Sequence, residues 1–294
     1  MDCSERRFFG SETRRPMSEF QFRRNGRLIY LVCPPLERAG FVHAFSTRLG
    51  GVSSLPDGAL NLGFVPDDTP TNVRENRRRF LAAIGATGMR LITAQQIHSS
   101  TVRIMSSAER SPGPQDSVSD ALVTGEVGWL LAVQTADCLP ILIADAIRRV
   151  VAAVHAGWRG SLAGIAEKTI IRMREEFGTR PEDCLAALGP AAQACCYEVG
   201  REVVESFRSR FDDAKMFISS REPDGRWYLD LELSNVRQLI GAGLRPENIF
   251  PSGLCTICRQ DLFFSHRRDS RQGVGRMMSV IGISRSPSPE QPSR

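Results

Sequence analysis

The chain has 294 residues, 41% of them apolar, enough to bury a sizeable core as one large domain or two modest ones. Its net charge of +5, from 38 basic and 33 acidic residues, is mild, and the arginines fall in short clusters without the aromatic interleaving of a nucleic-acid surface. No apolar run is long enough to span a bilayer, and residues 1–7 lack the apolar stretch of a secretion signal, so a cytoplasmic protein without membrane or nucleic-acid partners is expected.

Residues 1–18 are polar and arginine-rich, with a break at Pro16, and read as a disordered extension. One folded domain is expected over 19–283. A helix is expected over 72–84, capped by Thr71 or Asn72. The segment 93–98 reads as strand-like and ends on His98. The stretch 106–119, rich in Ser, Pro and Gly, reads as a surface loop. Short, partly β-branched apolar runs at 129–134, 139–144 and 150–154 read as buried strands, the last two joined by a turn at 145–149 into a hairpin. Apolar residues at 162, 165, 166, 170 and 173 give helical spacing across 161–177. Helices are expected over 199–211 and 231–240, and strands over 249–256 and 274–283. The Ser/Pro-rich tail 284–294 cannot bury anything and is expected to be disordered. Strands this close in sequence predict hairpins, hence an α+β single domain with mixed β-sheets flanked by helices.

Chemistry-bearing residues are few. The four histidines stand at 43, 98, 155 and 266. His98 closes Thr93-Ala94-Gln95-Gln96-Ile97-His98, and His155 closes Val150-Val151-Ala152-Ala153-Val154-His155. Cys138 opens a strand, in Ala136-Asp137-Cys138-Leu139-Pro140. The hairpin carries residues near 138 and 155 to one end of a sheet, so a thiol comes to lie beside an imidazole. Two imidazoles and a thiolate suit a borderline-soft divalent ion, zinc by preference. Three protein ligands leave the fourth tetrahedral position open, where a bound water falls to a pKa of about 7. Residue types alone keep two other readings open. One is a buried thiol with locally satisfied histidines. The other is a metal-free cysteine hydrolase with Cys138 as nucleophile and His155 as base.

Past His155, Gly157 and Gly160 allow close backbone approach, and Arg159 precedes a helix start, together a candidate anion site. Arg48, in Arg48-Leu49-Gly50-Gly51, is a second candidate for phosphate. Cys255-Thr256-Ile257-Cys258 has no second pair at suitable spacing, and Cys195-Cys196 is not an expected partner for it. These cysteines are therefore read as core or pocket-wall residues.

Several ordered blocks carry a family resemblance. They include Ser46-Thr47-Arg48-Leu49-Gly50-Gly51, Gln96-Ile97-His98, Asp120-Ala121-Leu122-Val123-Thr124 and Ala136-Asp137-Cys138-Leu139-Pro140. Val154-His155-Ala156-Gly157-Trp158-Arg159-Gly160, Cys196-Tyr197-Glu198-Val199-Gly200 and Phe263-Phe264-Ser265-His266-Arg267-Arg268 continue the pattern. Over nearly all of 40–283 the chain resembles the YfiH-type family, whose older name is multicopper polyphenol oxidoreductase (laccase) and whose newer name is purine nucleoside phosphorylase. Ser99 stands where glycine is commoner, and His266 where tyrosine is commoner.

The resemblance implies a single α+β domain with metal ligands at His98, Cys138 and His155. It also implies phosphorolysis of adenosine, inosine and methylthioadenosine, together with deamination of adenosine. Purine nucleosides and phosphate are then the partners, Arg48 and Arg159 the candidate phosphate residues, and Asp137 a candidate proton shuttle. Zn2+ is the expected metal, while Cu2+ is expected to bind in vitro because divalent-ion affinity generally peaks at copper. A copper-binding polyphenol oxidase is the alternative that the older name suggests. Such enzymes combine a blue-copper site with an imidazole-rich oxygen-reducing cluster, and four histidines cannot furnish both. A non-enzymatic nucleoside sensor is a further alternative.

Overall fold

The computed structural model of the chain describes residues 19–107, 118–221, 225–270 and 273–284. The terminal segments read above as disordered lie outside these residues, apart from Ser284, as does most of the 106–119 loop.

Two six-stranded sheets form the centre. The first runs β1 (Gln21–Asn25), β2 (Leu28–Val32), β3 (Val42–Ser46), β17 (Met277–Gly282), β9 (Trp129–Thr135), β6 (Arg90–Thr93). All its pairs are antiparallel except β6 with β9. The second runs β16 (Ile249–Pro251), β12 (Cys184–Leu188), β10 (Leu139–Asp145), β11 (Val150–Ala156), β8 (Ala121–Thr124), β7 (Val102–Ile104). It is parallel at both edges and antiparallel between them. The hairpin β4 (Leu49–Ser54) with β5 (Asp57–Ala59), and a small sheet of β13 (Glu198–Val199), β15 (Arg226–Leu229) and β14 (Ile218–Arg221), flank them.

Side chains alternate across a strand, and here both faces of the central strands are covered. In β9, Leu131 and Val133 point between the two sheets, where they meet Leu142, Ala144, Val151 and Ala153 of the second sheet. Leu130 and Ala132 point the other way, onto Phe80 of α2 (Pro70–Ala83). In β10, Ile141 and Ile143 face outward onto Ile165, Ile170 and Met173 of α4 (Ile165–Phe177) and Leu239 of α6 (Leu231–Gly241). The result is a helix, sheet, sheet, helix stack, with α5 (Arg201–Arg210) on the same side as α4 and α6. Short helices α1 (Pro34–Arg38), α3 (Trp158–Leu162) and α7 (His266–Asp269) lie in connections. Among the described residues, no helix is long and apolar enough to cross a membrane.

Several expected boundaries move for local reasons. The first long helix starts at Pro70, whose missing N–H costs nothing in the first turn, and its cap is Thr69, whose Oγ1 accepts the Asn72 N–H at 3.1 Å. The helix expected over 161–177 is two, α3 and α4, separated where Gly164 takes the left-handed conformation, φ 78°. The strand expected over 249–256 stops at Pro251, and the one over 274–283 narrows to β17.

Candidate functional site

The β10–β11 hairpin pairs Leu139 with Ala156 and Pro140 with His155, so Cys138, one residue before β10, lies beside the end of β11. His98 is not on a strand. The parallel strand β6 ends at Thr93, and the chain continues outward, tied to β9 by reciprocal hydrogen bonds between Gln96 and Gln134. Gln96 Nε2 donates to the Gln134 carbonyl at 2.7 Å, and the Gln134 N–H donates to Gln96 Oε1 at 2.7 Å. His98 then adopts φ 61°, left-handed for a residue with a Cβ, a strained conformation of the kind that collects at functional sites. The chain thus brings the three predicted ligands together: one potential donor atom from each of His98, Cys138 and His155 lies within 4.8 Å of the other two. The two imidazole rings meet edge to face, with centroids 4.9 Å apart.

Asp120 holds this arrangement. Its Oδ1 lies 2.8 Å from His155 Nδ1 and accepts the His98 N–H at 2.9 Å. Its Oδ2 accepts the Ser99 N–H at 2.6 Å and the Ser99 hydroxyl at 2.7 Å. Burial pushes the Asp120 carboxyl up, but the bonds from His155 and Ser99 overcome this and hold it at about 2. An ionised Asp120 accepts a hydrogen bond from His155 Nδ1–H, which in the neutral ring leaves the Nε2 lone pair free to coordinate a metal ion. Burial likewise raises the Cys138 thiol, yet the charges and hydrogen bonds of His155 and His98 bring it down to about 6. Burial resists protonation of His155, and the Cys138 charge with the Asp120 hydrogen bond reverses that and raises it. Cys138 is therefore poised as a thiolate. Gly157 makes room for the group: a Cβ there would lie 3.0 Å from both Cys138 Sγ and His98 Cδ2.

These donors open into a cavity of ≈ 650 Å³, within the range usual for small-molecule sites. Phe64, Pro66, Trp158 and Tyr197 supply flat or apolar walls, and Arg159, Arg267 and Arg276 supply cations. Arg159 stacks over Trp158 at 4.2 Å. Burial raises the Tyr197 phenol, so it stays protonated at neutral pH.

Two other predicted residues differ from expectation. Asp137 lines the cavity, but its carboxylate is committed: Oδ1 accepts the Thr256 hydroxyl at 2.7 Å, and Oδ2 accepts the Ser265 hydroxyl at 3.0 Å and the Arg267 N–H at 2.7 Å. It ties the ligand loop to the 256–267 segment, with φ 92° at its own backbone. Arg48 is placed elsewhere. It lines a different cavity, with Asp261, Arg268 and Asp269, and is not among the residues around the histidines. The glycines after it serve packing rather than a phosphate cradle. A Cβ at Gly50 would lie 2.5 Å from Leu28 Cα, and one at Gly51 would lie 2.1 Å from the Ala59 carbonyl oxygen.

Asp120 is the residue that sequence reasoning left without a role. It lies 35 positions from His155 and 22 from His98, and no local spacing marks the link. A ligating histidine needs an acceptor for its second nitrogen, so an acidic residue at a neighbouring strand end was the available signal.

Comparison with known proteins adds the following. The family model described as multi-copper polyphenol oxidoreductase laccase matches residues 42–284. The purine nucleoside phosphorylase YlmD of Geobacillus stearothermophilus is 36% identical over 258 residues, covering 86% of this chain and 94% of the relative. A purine nucleoside phosphorylase of Deinococcus radiodurans is 41% identical over 243 residues, covering 83% and 89%. The crystal structure of YlmD from Geobacillus stearothermophilus superposes with a TM-score of 0.81 at 36% identity, over 90% of this chain and 98% of that one. Bacillus licheniformis YfiH gives 0.81 at 31% identity, over 89% and 98%.

Proposed function

This chain belongs to the family described as multi-copper polyphenol oxidoreductase laccase, among whose relatives are proteins named purine nucleoside phosphorylase, and from that premise we propose that it is a zinc-dependent purine nucleoside enzyme. It phosphorolyses adenosine, inosine and methylthioadenosine to the free base and the ribose or methylthioribose 1-phosphate, and it deaminates adenosine. The observation that carries this reading is the convergence of His98, Cys138 and His155 at the floor of a cavity with aromatic walls and three arginines.

The donor set fits the ion. Two imidazoles and one thiolate are ligands that zinc accepts, a carboxylate fixes the tautomer of one imidazole, and Gly157 leaves the space that a side chain would fill. Zinc, when bound there, supplies Lewis-acid polarisation and lowers the pKa of coordinated water. The chain's own residues do the rest. Phe64, Trp158 and Tyr197 offer faces to a purine, and Arg159, with Arg267 and Arg276, balances the charge of phosphate. In phosphorolysis the bond between C1′ of the sugar and the base nitrogen breaks, and a phosphate oxygen takes C1′. The departing base needs a proton, and the protonated Tyr197 phenol faces the same cavity. Asp137 acts as a positioning residue, because all three of its bonds hold neighbouring backbone and hydroxyls in place.

The test joins elemental analysis to an adenosine assay with and without phosphate. Adenine formed only with phosphate reports phosphorolysis, and inosine formed without it reports deamination. His98→Ala, Cys138→Ala and His155→Ala are each expected to lose metal and activity while staying folded. Full activity in any one of them overturns the reading. Turnover that survives exhaustive chelation returns the Cys138–His155 hydrolase instead.

A further inference from the structure

The four cysteines read from the sequence as core or pocket wall converge. Cys195 and Cys196 sit in the loop after β12, Cys255 and Cys258 in the loop after β16, and the four sulfurs all lie within 4.8 Å of one another. Cys258 Sγ is 3.4 Å from Cys195 Sγ and 3.2 Å from Cys196 Sγ. Zinc–sulfur bonds of about 2.3 Å in a tetrahedron set sulfur–sulfur edges of about 3.8 Å, inside the span observed. We propose that Cys195, Cys196, Cys255 and Cys258 form a second metal site, a closed four-thiolate zinc centre that clamps the two loops behind the nucleoside cavity.

Three features around the sulfurs support a bound cation. The loops are already joined: Ala191 and Cys255 make a parallel bridge, with the Ala191 N–H on the Leu254 carbonyl at 3.1 Å and the Thr256 N–H on the Ala191 carbonyl at 3.0 Å. Backbone N–H groups of Cys258, Gln193 and Ile257 are directed at Cys255 Sγ, the arrangement that stabilises a ligating thiolate in a C-x-x-C turn. Four thiolates around one divalent ion leave net negative charge, and two guanidinium groups hold carbonyls of the same two loops, Arg268 while also paired with Asp269. Arg221 Nη2 donates to the Ala194 and Cys195 carbonyls at 2.7 and 3.1 Å. Arg268 Nη1 donates to the Thr256 and Ile257 carbonyls at 2.9 and 3.0 Å. Soft sulfur donors in this geometry select zinc over hard cations. Cys258 carries a disulfide bond in the structure, so the centre belongs to the reduced protein, in which a dithiol reductant has supplied the two electrons and two protons that open that bond.

The centre would work through its neighbours. Tyr197 follows Cys196 directly, and Thr256, between the other two cysteines, donates to Asp137 beside Cys138. A closed four-sulfur site has no open position for substrate, so its role is structural.

The test uses full-length protein reduced with a dithiol, loaded with zinc, freed of excess metal and treated with iodoacetamide. Peptide mass spectrometry then reads each cysteine. The expected result is that zinc protects Cys195, Cys196, Cys255 and Cys258 together, and that this protection persists in His98→Ala/His155→Ala, where the first site is disabled. Metal content should be about two ions per chain, falling to about one in that variant. In Cys255→Ser/Cys258→Ser, metal should also fall to about one per chain while Cys138 remains protected. Loading with Co2+ should give the strong sulfur-to-cobalt charge-transfer absorption of several thiolates, lost in the Cys255→Ser/Cys258→Ser variant alone. Alkylation of the four cysteines at the metal-free rate in zinc-loaded wild type, or recovery of them only as disulfides after reduction, overturns the proposal. Because the first site is read separately through Cys138, failure here leaves the nucleoside reading standing.

Discussion

His155 can offer only one nitrogen to a ligand, because Nδ1 lies 2.8 Å from Asp120 Oδ1. The same carboxylate holds the backbone of His98 and Ser99, so one side chain sets both the tautomer of one candidate ligand and the position of another. Asp120→Asn keeps the shape but cannot accept all of these donors. It should weaken metal affinity about 10- to 100-fold, read by competition against a chromophoric chelator, with the fold intact by circular dichroism. Unchanged affinity would show that the carboxylate is not what orients the ring. Gly157→Ala tests the other side of the cluster. Its φ of −75° suits any residue, so the backbone tolerates the change, but the new methyl would press on Cys138 and His98 at 3.0 Å. Metal affinity should fall while thermal stability changes little, and equal losses in both would place the effect in folding instead. At this scale the candidate ligands could be picked out because histidine, with four copies, is scarce and, like cysteine, chemically distinctive. Asp120 was not, being one of 33 acidic residues whose partners lie in other parts of the chain.

Between elements, the informative contacts are those that carry a ligand to its place. The β10–β11 hairpin could be read from two apolar runs and a short turn, and its register delivers Cys138 and His155 to the same end. The approach of His98 could not, because β6 joins its sheet in parallel beside β9, with residues 94–128 of the chain between them. The break between α3 and α4 was hidden by helical spacing that continues through Gly164, a residue whose left-handed backbone shows only in three dimensions. The cysteine cluster was hidden in the same way, since its two halves are about sixty residues apart and meet through the Ala191–Cys255 bridge. The layers themselves can be probed away from the site. Phe80 of α2 is fully buried against the outer face of the first sheet. Phe80→Ala should cost about 3–5 kcal/mol of unfolding free energy in denaturant titration, with metal content of the folded protein unchanged. Loss of metal at equal folded fraction would mean that α2 also shapes the ligand loops.

Across the whole molecule, stability is tied to pH through a histidine far from the ligands in role. His43, on β3 of the first sheet, is buried, and its Nε2 accepts the Cys33 N–H at 2.8 Å while Nδ1 faces the Phe41 carbonyl at 3.3 Å. Protonation would set a second N–H against the Cys33 N–H inside the core, and burial accordingly lowers the His43 pKa from 6.5 to about 4. The unfolded chain therefore binds a proton more readily than the folded one between these values. The stability from keeping His43 neutral is fully present above pH 6.5 and is lost as pH falls toward 4. The full contribution is about 3 kcal/mol. Asp120 acts in a lower window: its folded value of about 2 lies below its ordinary 3.8, so its contribution is fully present above pH 3.8 and is lost as pH falls toward 2. His43→Gln keeps an acceptor for the Cys33 N–H and removes the titration. Chemical denaturation from pH 7 to pH 4 should show wild type losing stability more steeply than the variant, by about one proton's worth of slope. Parallel curves would mean that the proton enters the folded core without cost, and the tight packing between the two sheets would have to yield to accommodate it.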